Sequence, residues 1–166
     1  DGGEIQLTKG NWEVTQFHGI DSDKMLFYYS STEEGSINRS VFVQNLENGE
    51  KKKLSKIKGT NNASFSKGMK YYMNSVSTAN SAPVFSLHHA DGTQLKTLED
   101  NAAFNTKMDE FNLSNKELFT INVEDAELNA WMIKPPDFDE SKTYPLFIFL
   151  YGGPGSQQVT NSFGWT

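Results

Sequence analysis

The chain has 166 residues, a formal net charge of −6 and a sequence pI near 5.0. This acidic balance argues against a nucleic-acid partner, because binding to phosphates requires clustered lysine and arginine side chains. The absence of cysteine excludes disulfides, a thiol nucleophile and a thiolate metal site.

The N-terminal residues predict that the chain starts within a repeated β unit. Asp1-Gly2 is followed by GEIQLT, which resembles the GEKKKLS found at Asn48-Gly49. We therefore expect the first residues to form the second half of a hairpin. The stretch DGGEIQL has neither the basic region nor the apolar region of a signal peptide. No apolar run approaches the roughly 18 residues that a membrane-spanning helix needs.

Two segments repeat with the same spacing. Paired tyrosines occur at 28/29 and at 71/72, and VFVQNLENGE from Val41 matches VFSLHHADGT from Val84, each at an offset of 43 residues. Each unit consists of short β-branched and aromatic runs bounded by polar or glycine turns, which predicts strands. A period of about 40 to 45 residues with four short strands is typical of a β-propeller blade.

Each predicted blade ends in a hairpin signal, Asn48-Gly49 in the first and Asp91-Gly92 in the second. These dipeptides favour two-residue turns, because both of their residues tolerate positive φ. Two blades cannot close a propeller, which needs at least about four. We therefore expect the chain to be part of a longer protein.

The pattern changes after the second unit. The stretch TLEDNAAFNTKMDEF, residues 97–111, predicts a short helix and a connector. Two strand candidates follow, Leu118 to Val123 and Leu128 to Ile133, separated by the acidic turn Glu124-Asp125. Pro135-Pro136 then excludes a regular helix or a central strand.

The apolar run YPLFIFL, residues 144–150, leads into the turn YGGPG. Because this run is apolar without alternation, it predicts a strand buried on both faces, as in a parallel α/β sheet. The turn is not a phosphate-binding loop, since it matches neither G-x-x-x-x-G-K-[ST] nor G-x-G-x-x-G. A plain structural turn, in which glycines relieve crowding at a strand end, is one explanation. The other is an oxyanion-stabilising loop of the kind that follows an early strand in α/β-hydrolases.

Tyr151 is the residue that gives the second explanation its chemistry. It would lie at the carboxyl end of a strand, where α/β sheets place ligands. A phenol with a pKa near 10 stays protonated at neutral pH and can donate a hydrogen bond. A donor directed at a developing oxyanion lowers the reaction barrier by about 2.7–4 kcal/mol.

Several stretches resemble the dipeptidyl peptidase IV group of the prolyl oligopeptidase (S9) family of serine peptidases. They are NWEV, FSKGMKYY, LEDN and, most specifically, KPPDFDESKTYPLFIFLYGGPGSQ. Together they extend over essentially the whole chain. The family joins an eight-bladed β-propeller to an α/β-hydrolase domain and removes N-terminal dipeptides, preferably with proline or alanine second.

The resemblance implies a mainly β fold with two parts. Residues 1–110 would be the last blades of the propeller, about two with the first one partial, and residues 111–166 the truncated start of the hydrolase domain. Tyr151 would be the tyrosine that stabilises the oxyanion. The Ser-Asp-His triad would lie beyond this chain, which contains no G-x-S-x-G motif, so the chain alone would be inactive.

The resemblance also implies partners and location. The partners would be peptides with a free N-terminus, without nucleic acid, metal or cofactor. The parent protein would be homodimeric and periplasmic, cell-surface or secreted. An oligomer of the chain alone would be an artefact of exposed strand edges.

Charged residues and histidines elsewhere in the chain could be read as functional, but their sequence surroundings favour structural or solvent-exposed roles. Glu33-Glu34 resembles the paired glutamates with which the family binds a peptide N-terminus, but we expect a solvated loop here. The lysine run at residues 51–53 predicts a solvated hairpin flank. We expect structural or exposed roles for the histidines His18, His88 and His89, because no set of metal ligands accompanies them.

Hydroxyl and aromatic residues receive structural assignments as well. Ser156 follows the glycine turn but lacks the nucleophile motif, so we expect a turn hydroxyl. We expect Trp131 to be a core residue. The same holds for the aromatic residues at strand spacing, which are Tyr28, Tyr29, Tyr71, Tyr72, Phe42 and Phe85. Sequons at Asn38, Asn62 and Asn112 matter only if a eukaryotic secretory pathway made the chain.

A non-catalytic binding module of the same architecture, with a degenerate triad, is the alternative function. The residues that would decide between the two lie outside this chain. Tyr151 favours an active parent, since phenylalanine or valine would serve equally in a purely structural turn.

Overall fold

Two four-stranded antiparallel sheets form the centre of the fold. The computed structural model describes residues 2–150, 152–153 and 155–164. In both sheets, strands that follow one another in sequence are neighbours, which is the up-and-down order of a propeller blade. The first sheet contains β1 (Val14–Asp21), β2 (Leu26–Ser31), β3 (Ser40–Asn45) and β4 (Lys51–Lys53); the second contains β5 (Thr60–Phe65), β6 (Tyr71–Thr78), β7 (Ser81–His89) and β8 (Gln94–Glu99). The prediction of two units of four strands is confirmed.

The hairpins predicted at Asn48-Gly49 and Asp91-Gly92 form, but neither is a two-residue turn. The connection between β3 and β4 spans residues 46–50, because Asn45 Oδ1 accepts the N–H groups of Glu47 and Asn48 and widens the loop. In the other hairpin, the His89 N–H donates to the Thr93 carbonyl. Gly92 adopts a φ of +90° beside Leu54, so this position requires glycine.

The two sheets are stacked, so that one face of the first sheet packs against one face of the second. The cluster between them contains Tyr28 from β2 and Tyr72 from β6, which are 1% and 2% exposed. Phe65 lies between the two tyrosines, with ring centroids 4.7 Å from Tyr28 and 4.8 Å from Tyr72. The remaining buried members are Val41, Val43, Leu54, Ala63 and Ala90. Apolar burial of this kind is the main favourable term in the stability of the stack.

The 43-residue repeat holds for the second strand of each sheet. Tyr29 lies on the face of the first sheet that points away from the second sheet, and its equivalent in the second sheet is Tyr72. The equivalent of Tyr28 is Tyr71. The equivalence explains why Tyr71 is 43% exposed. Tyr28 is covered by the second sheet, whereas no described residues form a further sheet over Tyr71.

The third strands are offset by 46 residues instead. Phe42 pairs with Tyr29, and His88 pairs with Tyr72, so His88 and not Phe85 is the structural equivalent of Phe42. Phe85 therefore lies on the face shared with Tyr71 and is only half-buried. The core assignment is confirmed for Tyr28, Tyr29, Tyr72 and Phe42, is only partly correct for the half-buried Phe85, and is wrong for the exposed Tyr71.

Two serine–histidine pairs lie in the interface between the sheets. His18 Nε2 is 2.8 Å from Ser30 Oγ, and its ring lies 5.2 Å from that of Phe65 in the second sheet. His88 Nε2 is 2.7 Å from Ser86 Oγ, and its ring stacks on Tyr72. Burial lowers the pKa of both histidines, because the cationic imidazolium loses its hydration there.

A helix and a hairpin follow the second sheet. The helix α1 (Ala102–Asp109) occupies the stretch where one was predicted, and β9 (Lys116–Val123) pairs with β10 (Ala126–Ile133) as a separate two-stranded sheet. Both strand candidates are confirmed. Asn80, in the turn between β6 and β7, exchanges two side-chain hydrogen bonds with the backbone of Lys116 and so ties the hairpin to the second sheet.

The predicted buried strand at residues 144–150 does not form. The apolar side chains of residues 146–150 are 65% to 88% exposed, and no strand of the described residues pairs with this stretch. A strand requires a hydrogen-bonded neighbour, and neither β9 nor β10 provides one. The hairpin strand expected near the N-terminus is likewise not observed over residues 2–9, and Asp1 lies outside the described residues. Within the described ranges, no helix is long and apolar enough to cross a membrane.

Alanine substitutions at the two neighbouring tyrosines of β6 should distinguish the buried face of the second sheet from its exposed face. In this chain, we expect Tyr72→Ala to lower the free energy of unfolding by about 3–5 kcal/mol, because it empties a buried aromatic site. We expect Tyr71→Ala to cost about 1 kcal/mol or less, because that side chain is largely exposed. Urea titration monitored by circular dichroism measures both values. Equal losses would contradict the assignment of the faces.

The stability of the sheet interface should depend on pH. Since the folded pKa of His18 and of His88 lies below the ordinary value of 6.5, the unfolded chain binds more protons as the pH falls through 6.5. Stability should therefore decrease between about pH 7 and pH 5, by at most about 1.4 kcal/mol per pH unit for each histidine. Above this window both states are neutral and the contribution vanishes.

Replacement of both histidines by glutamine, which keeps hydrogen-bonding groups, should flatten this slope. Thermal unfolding at a series of pH values measures it. His89→Gln, on the opposite face of β7, controls for the loss of a histidine outside the interface. An unchanged slope in the double variant would show that these two groups do not cause the pH dependence.

Candidate functional site

The glycine turn is the strongest candidate site, and only part of it is described. Tyr151 and Pro154 lie outside the described residues, so the oxyanion role of Tyr151 stays a prediction. Gly155 has a φ of +74°, a left-handed conformation that favours glycine. A Cβ at Gly152 would meet no atom within 4 Å. Crowding within the described chain therefore does not account for this glycine.

The residues after the turn lie against the two sheets. We call residues 156–164 the anchor segment, because hydrogen bonds attach it to both sheets along its length. Gln157 Oε1 is 2.6 Å from the guanidinium of Arg39, next to β3. The Asn161 N–H donates to the Ile37 carbonyl, and the Phe163 N–H donates to Ser77 Oγ in the second sheet. The turn is thereby connected on its downstream side to a defined part of the fold.

Ser156 is a turn residue in this arrangement. Its N–H donates to the Gly153 carbonyl at 3.4 Å, and its hydroxyl accepts a hydrogen bond from the Gln158 side chain. These contacts join Ser156 to Gly153 and Gln158 and do not supply a histidine as the general base that a nucleophilic serine needs.

The acidic pair Glu33-Glu34 is not simply a solvated loop. The side chain of Glu33 is 11% exposed, and its carboxylate accepts hydrogen bonds from Tyr29 and Ser31 and pairs with Lys51. Burial, with the negative charge and hydrogen bond of Glu33 added, raises the pKa of Tyr29. The prediction of a solvated loop is therefore wrong for Glu33, because the chain folds it back onto its own sheet.

The lysine run of β4 complements this pair. Lys51 and Lys53 point to the acidic side, where Lys53 pairs with the less buried Glu34 at 2.8 Å. Lys52 points to the other side and donates to the Asp91 carbonyl of the second sheet at 2.7 Å. The three lysines are exposed, as predicted, and each also holds a neighbouring loop. Both carboxylates are therefore already paired with lysines of the same sheet.

The histidines do not form a catalytic or metal-binding cluster. His18 and His88 are used in the sheet interface with Ser30 and Ser86, and His89 stacks on Tyr71 on the opposite face. The other ring nitrogen of His88 lies 3.4 Å from the Gly92 carbonyl oxygen, where a triad would place a carboxylate. Across the described ranges, no three His, Asp or Glu side chains come close enough to hold a metal ion.

A cleft of about 520 Å³ lies between α1, the β9–β10 hairpin and the end of the anchor segment. Lys116 is a charged residue in the lining of this cleft. Its ammonium lies 5.4 Å from the ring centre of Trp131 and donates to the Gly164 carbonyl, and burial lowers its pKa. Trp131 is half-buried at this cleft, so its assignment to a core is only partly correct.

The contacts of the anchor segment were not expected from the sequence. Some of its partners are more than a hundred residues away along the chain, as for Arg39 with Gln157, 118 residues apart, and Ala79 is 82 residues away from Asn161. Gln and Asn at these positions give no periodic or motif signal. Asn38, which the sequence offered as a sequon, is only 2% exposed and is part of this contact.

Comparisons with known proteins agree with this architecture. Residues 1–83, half of the chain, match the model of the dipeptidyl peptidase IV (DPP IV) N-terminal region. Dipeptidyl peptidase 4 from Trichophyton equinum is 35% identical over 169 residues, which cover 98% of this chain and 22% of that protein. Probable dipeptidyl-aminopeptidase B from Phaeosphaeria nodorum is 34% identical and covers 96% of this chain and 18% of that protein.

A solved structure extends the likeness to three dimensions. Porphyromonas gingivalis dipeptidyl peptidase 4 aligns with a TM-score of 0.91 and 40% identity, covering 97% of this chain and 23% of that one. The chain thus spans about a fifth of the length of these relatives. The match includes the two stacked sheets and continues through the hairpin and the anchor segment. On this basis the chain belongs to the dipeptidyl peptidase IV family.

Proposed function

We propose that this chain is part of a serine exopeptidase that releases dipeptides from the N-termini of peptides, with proline or alanine in the second position. The observation that carries the proposal is the extent of the likeness to dipeptidyl peptidase 4, 35% identity across 98% of the chain. Such a match includes the residues on both sides of the glycine turn as well as the sheets. Fold alone would not justify an activity.

In this proposal the chain contributes to two domains. Residues 1–110 supply the last blades of the propeller, and residues 111–166 begin the α/β-hydrolase domain. The apolar run at residues 146–150, highly exposed here, would then become a strand of the hydrolase sheet. Its non-alternating apolar sequence suits a position buried on both faces.

The chemistry would be acyl transfer. A serine supplied from outside this chain attacks the carbonyl carbon of the second residue, and a histidine takes the serine proton. The carbonyl oxygen becomes an oxyanion, to which the Tyr151 hydroxyl donates a hydrogen bond. When the intermediate collapses, the C–N bond breaks, the histidine protonates the leaving amine, and water later releases the dipeptide.

The 166 residues alone should be inactive. They contain no G-x-S-x-G motif and therefore no nucleophile of the required type. An oxyanion donor lowers the barrier only for a reaction that a nucleophile has started.

Replacement of Tyr151 by phenylalanine in the full-length protein tests the proposed role directly. We expect kcat to fall about 100- to 1,000-fold, because the variant loses one oxyanion donor and little else. Release of p-nitroaniline from a glycyl-prolyl anilide measures kcat, and thermal unfolding monitors the fold.

Tyr144→Phe is the matched control. Tyr144 lies in the same segment, and its hydroxyl accepts a hydrogen bond only locally, from the Asp139 N–H at 3.0 Å. We expect this variant to keep the kcat of the wild-type enzyme. An unchanged kcat in Tyr151→Phe would refute the oxyanion assignment. A wild-type protein that releases no dipeptide would instead support the binding module.

A further inference from the structure

We infer that Asn161 acts as a clamp between the two sheets, so that their contact depends on a residue from outside both of them. Asn161 lies in the anchor segment, which follows the last strand of the second sheet, the helix and the hairpin in sequence. The meaning of the clamp for the whole protein rests on the proposed function, in which residues 111–166 belong to the hydrolase domain. On that assignment, a residue of one domain stabilises the contact between two blades of the other.

A short backbone contact joins the two sheets directly. Arg39, next to β3, forms an isolated parallel bridge with Thr60 of β5. The Arg39 N–H donates to the Gly59 carbonyl at 2.9 Å, and the Asn61 N–H donates to the Arg39 carbonyl at 3.0 Å. The buried side chain of Asn61 donates to the same carbonyl at 2.9 Å. These bonds determine how close the sheets lie at this point.

Asn161 makes hydrogen bonds to residues on both sides of this bridge. Toward the loop between β2 and β3, its N–H donates to the Ile37 carbonyl at 2.8 Å and its Nδ2 donates to Asn38 Oδ1 at 3.0 Å. Toward the second sheet, its Oδ1 accepts the Ala79 N–H at 2.9 Å and its carbonyl accepts the Thr60 hydroxyl at 3.0 Å. An amide side chain suits this position, because its oxygen accepts while its nitrogen donates.

Water has little access to the groups that Asn161 binds. Asn38 is 2% exposed and Ala79 is 9% exposed. Loss of the Asn161 side chain would remove these partners from buried polar groups, and an unsatisfied buried group is costly. The Phe163 N–H adds a further bond of the anchor segment, to Ser77 Oγ at 3.3 Å. The sheets therefore cannot separate at the bridge without breaking contacts of the anchor segment.

A clamp predicts that its loss affects hydrogen bonds in which it takes no part. In the full-length protein, we expect Asn161→Ala to speed amide hydrogen exchange of Ala79 about tenfold, because that N–H loses its acceptor. We also expect the amides of Arg39 and Asn61 to exchange about fivefold faster, because the bridge between the sheets opens more often. Both amides donate to backbone carbonyls of the opposite sheet's side and not to Asn161, so they report the contact between the sheets. Hydrogen exchange read by mass spectrometry, with electron-transfer fragmentation to single residues, measures all three.

Two further variants separate the two sides of the clamp. Asn161→Asp keeps the oxygen that accepts the Ala79 N–H and loses the donor to Asn38. We expect it to keep the slow exchange of Ala79 within about twofold, while Arg39 and Asn61 still exchange about fivefold faster. Gln158→Ala is the matched control, since that side chain donates to Ser156 within the anchor segment, and all three amides should stay within about twofold of the wild type.

Faster exchange at Ala79 alone would reveal a local hydrogen bond and overturn the inference, as would unchanged exchange at all three amides. If Asn161→Ala does not fold, Asn161→Ser is tested under the same criteria, because its hydroxyl is polar but too short to bind both Asn38 and Ala79. Hydrogen exchange does not depend on activity. A full-length protein that releases no dipeptide would therefore refute the proposed function, while the exchange of Arg39 and Asn61 would still confirm or overturn the clamp.

Discussion

The contact between the two sheets is the interaction on which the rest of the structure depends. Each sheet packs one of its faces against the other sheet, and Tyr28, Phe65 and Tyr72 form a continuous aromatic contact across the interface. The contact also determines where the polar groups meet. Asn161 can bind Ile37 and Ala79 together only because the sheets hold these residues side by side. A loss of apolar packing between the sheets would therefore also separate the partners of the anchor segment.

Features determined by neighbouring residues could be predicted from the sequence. Short β-branched and aromatic runs between polar turns, together with the spacing of the tyrosine pairs, predicted two units of four strands, and the stretch after them predicted the helix α1. The length of the β3–β4 turn was harder to predict from the sequence, because the side chain of Asn45 binds backbone N–H groups and lengthens the loop. The three-residue shift of β7 also went unseen, since VF recurs at an offset of 43 although His88 is the residue that faces the core.

Features that depend on distant partners could not be predicted. The run at residues 146–150 has the composition of a buried strand, but a strand forms only beside a neighbour, and no described residue supplies one. Glu33 has the sequence environment of a solvated carboxylate, yet the fold brings Tyr29 and Lys51 to it. The contact between Asn38 and Asn161 joins residues 123 positions apart, which no local pattern encodes. The glycine turn was identified from its sequence alone, whereas the contacts of the anchor segment that follows it emerged only from the structure.

The central claim is that the protein containing this chain removes dipeptides from free N-termini. Mass spectrometry of a decapeptide with proline second, incubated with the full-length protein, tests this most directly. We expect the decapeptide to lose its first two residues as one dipeptide, and we expect no cleavage when its N-terminus is acetylated. Cleavage at internal bonds, release of single amino acids, or no cleavage at all would contradict it.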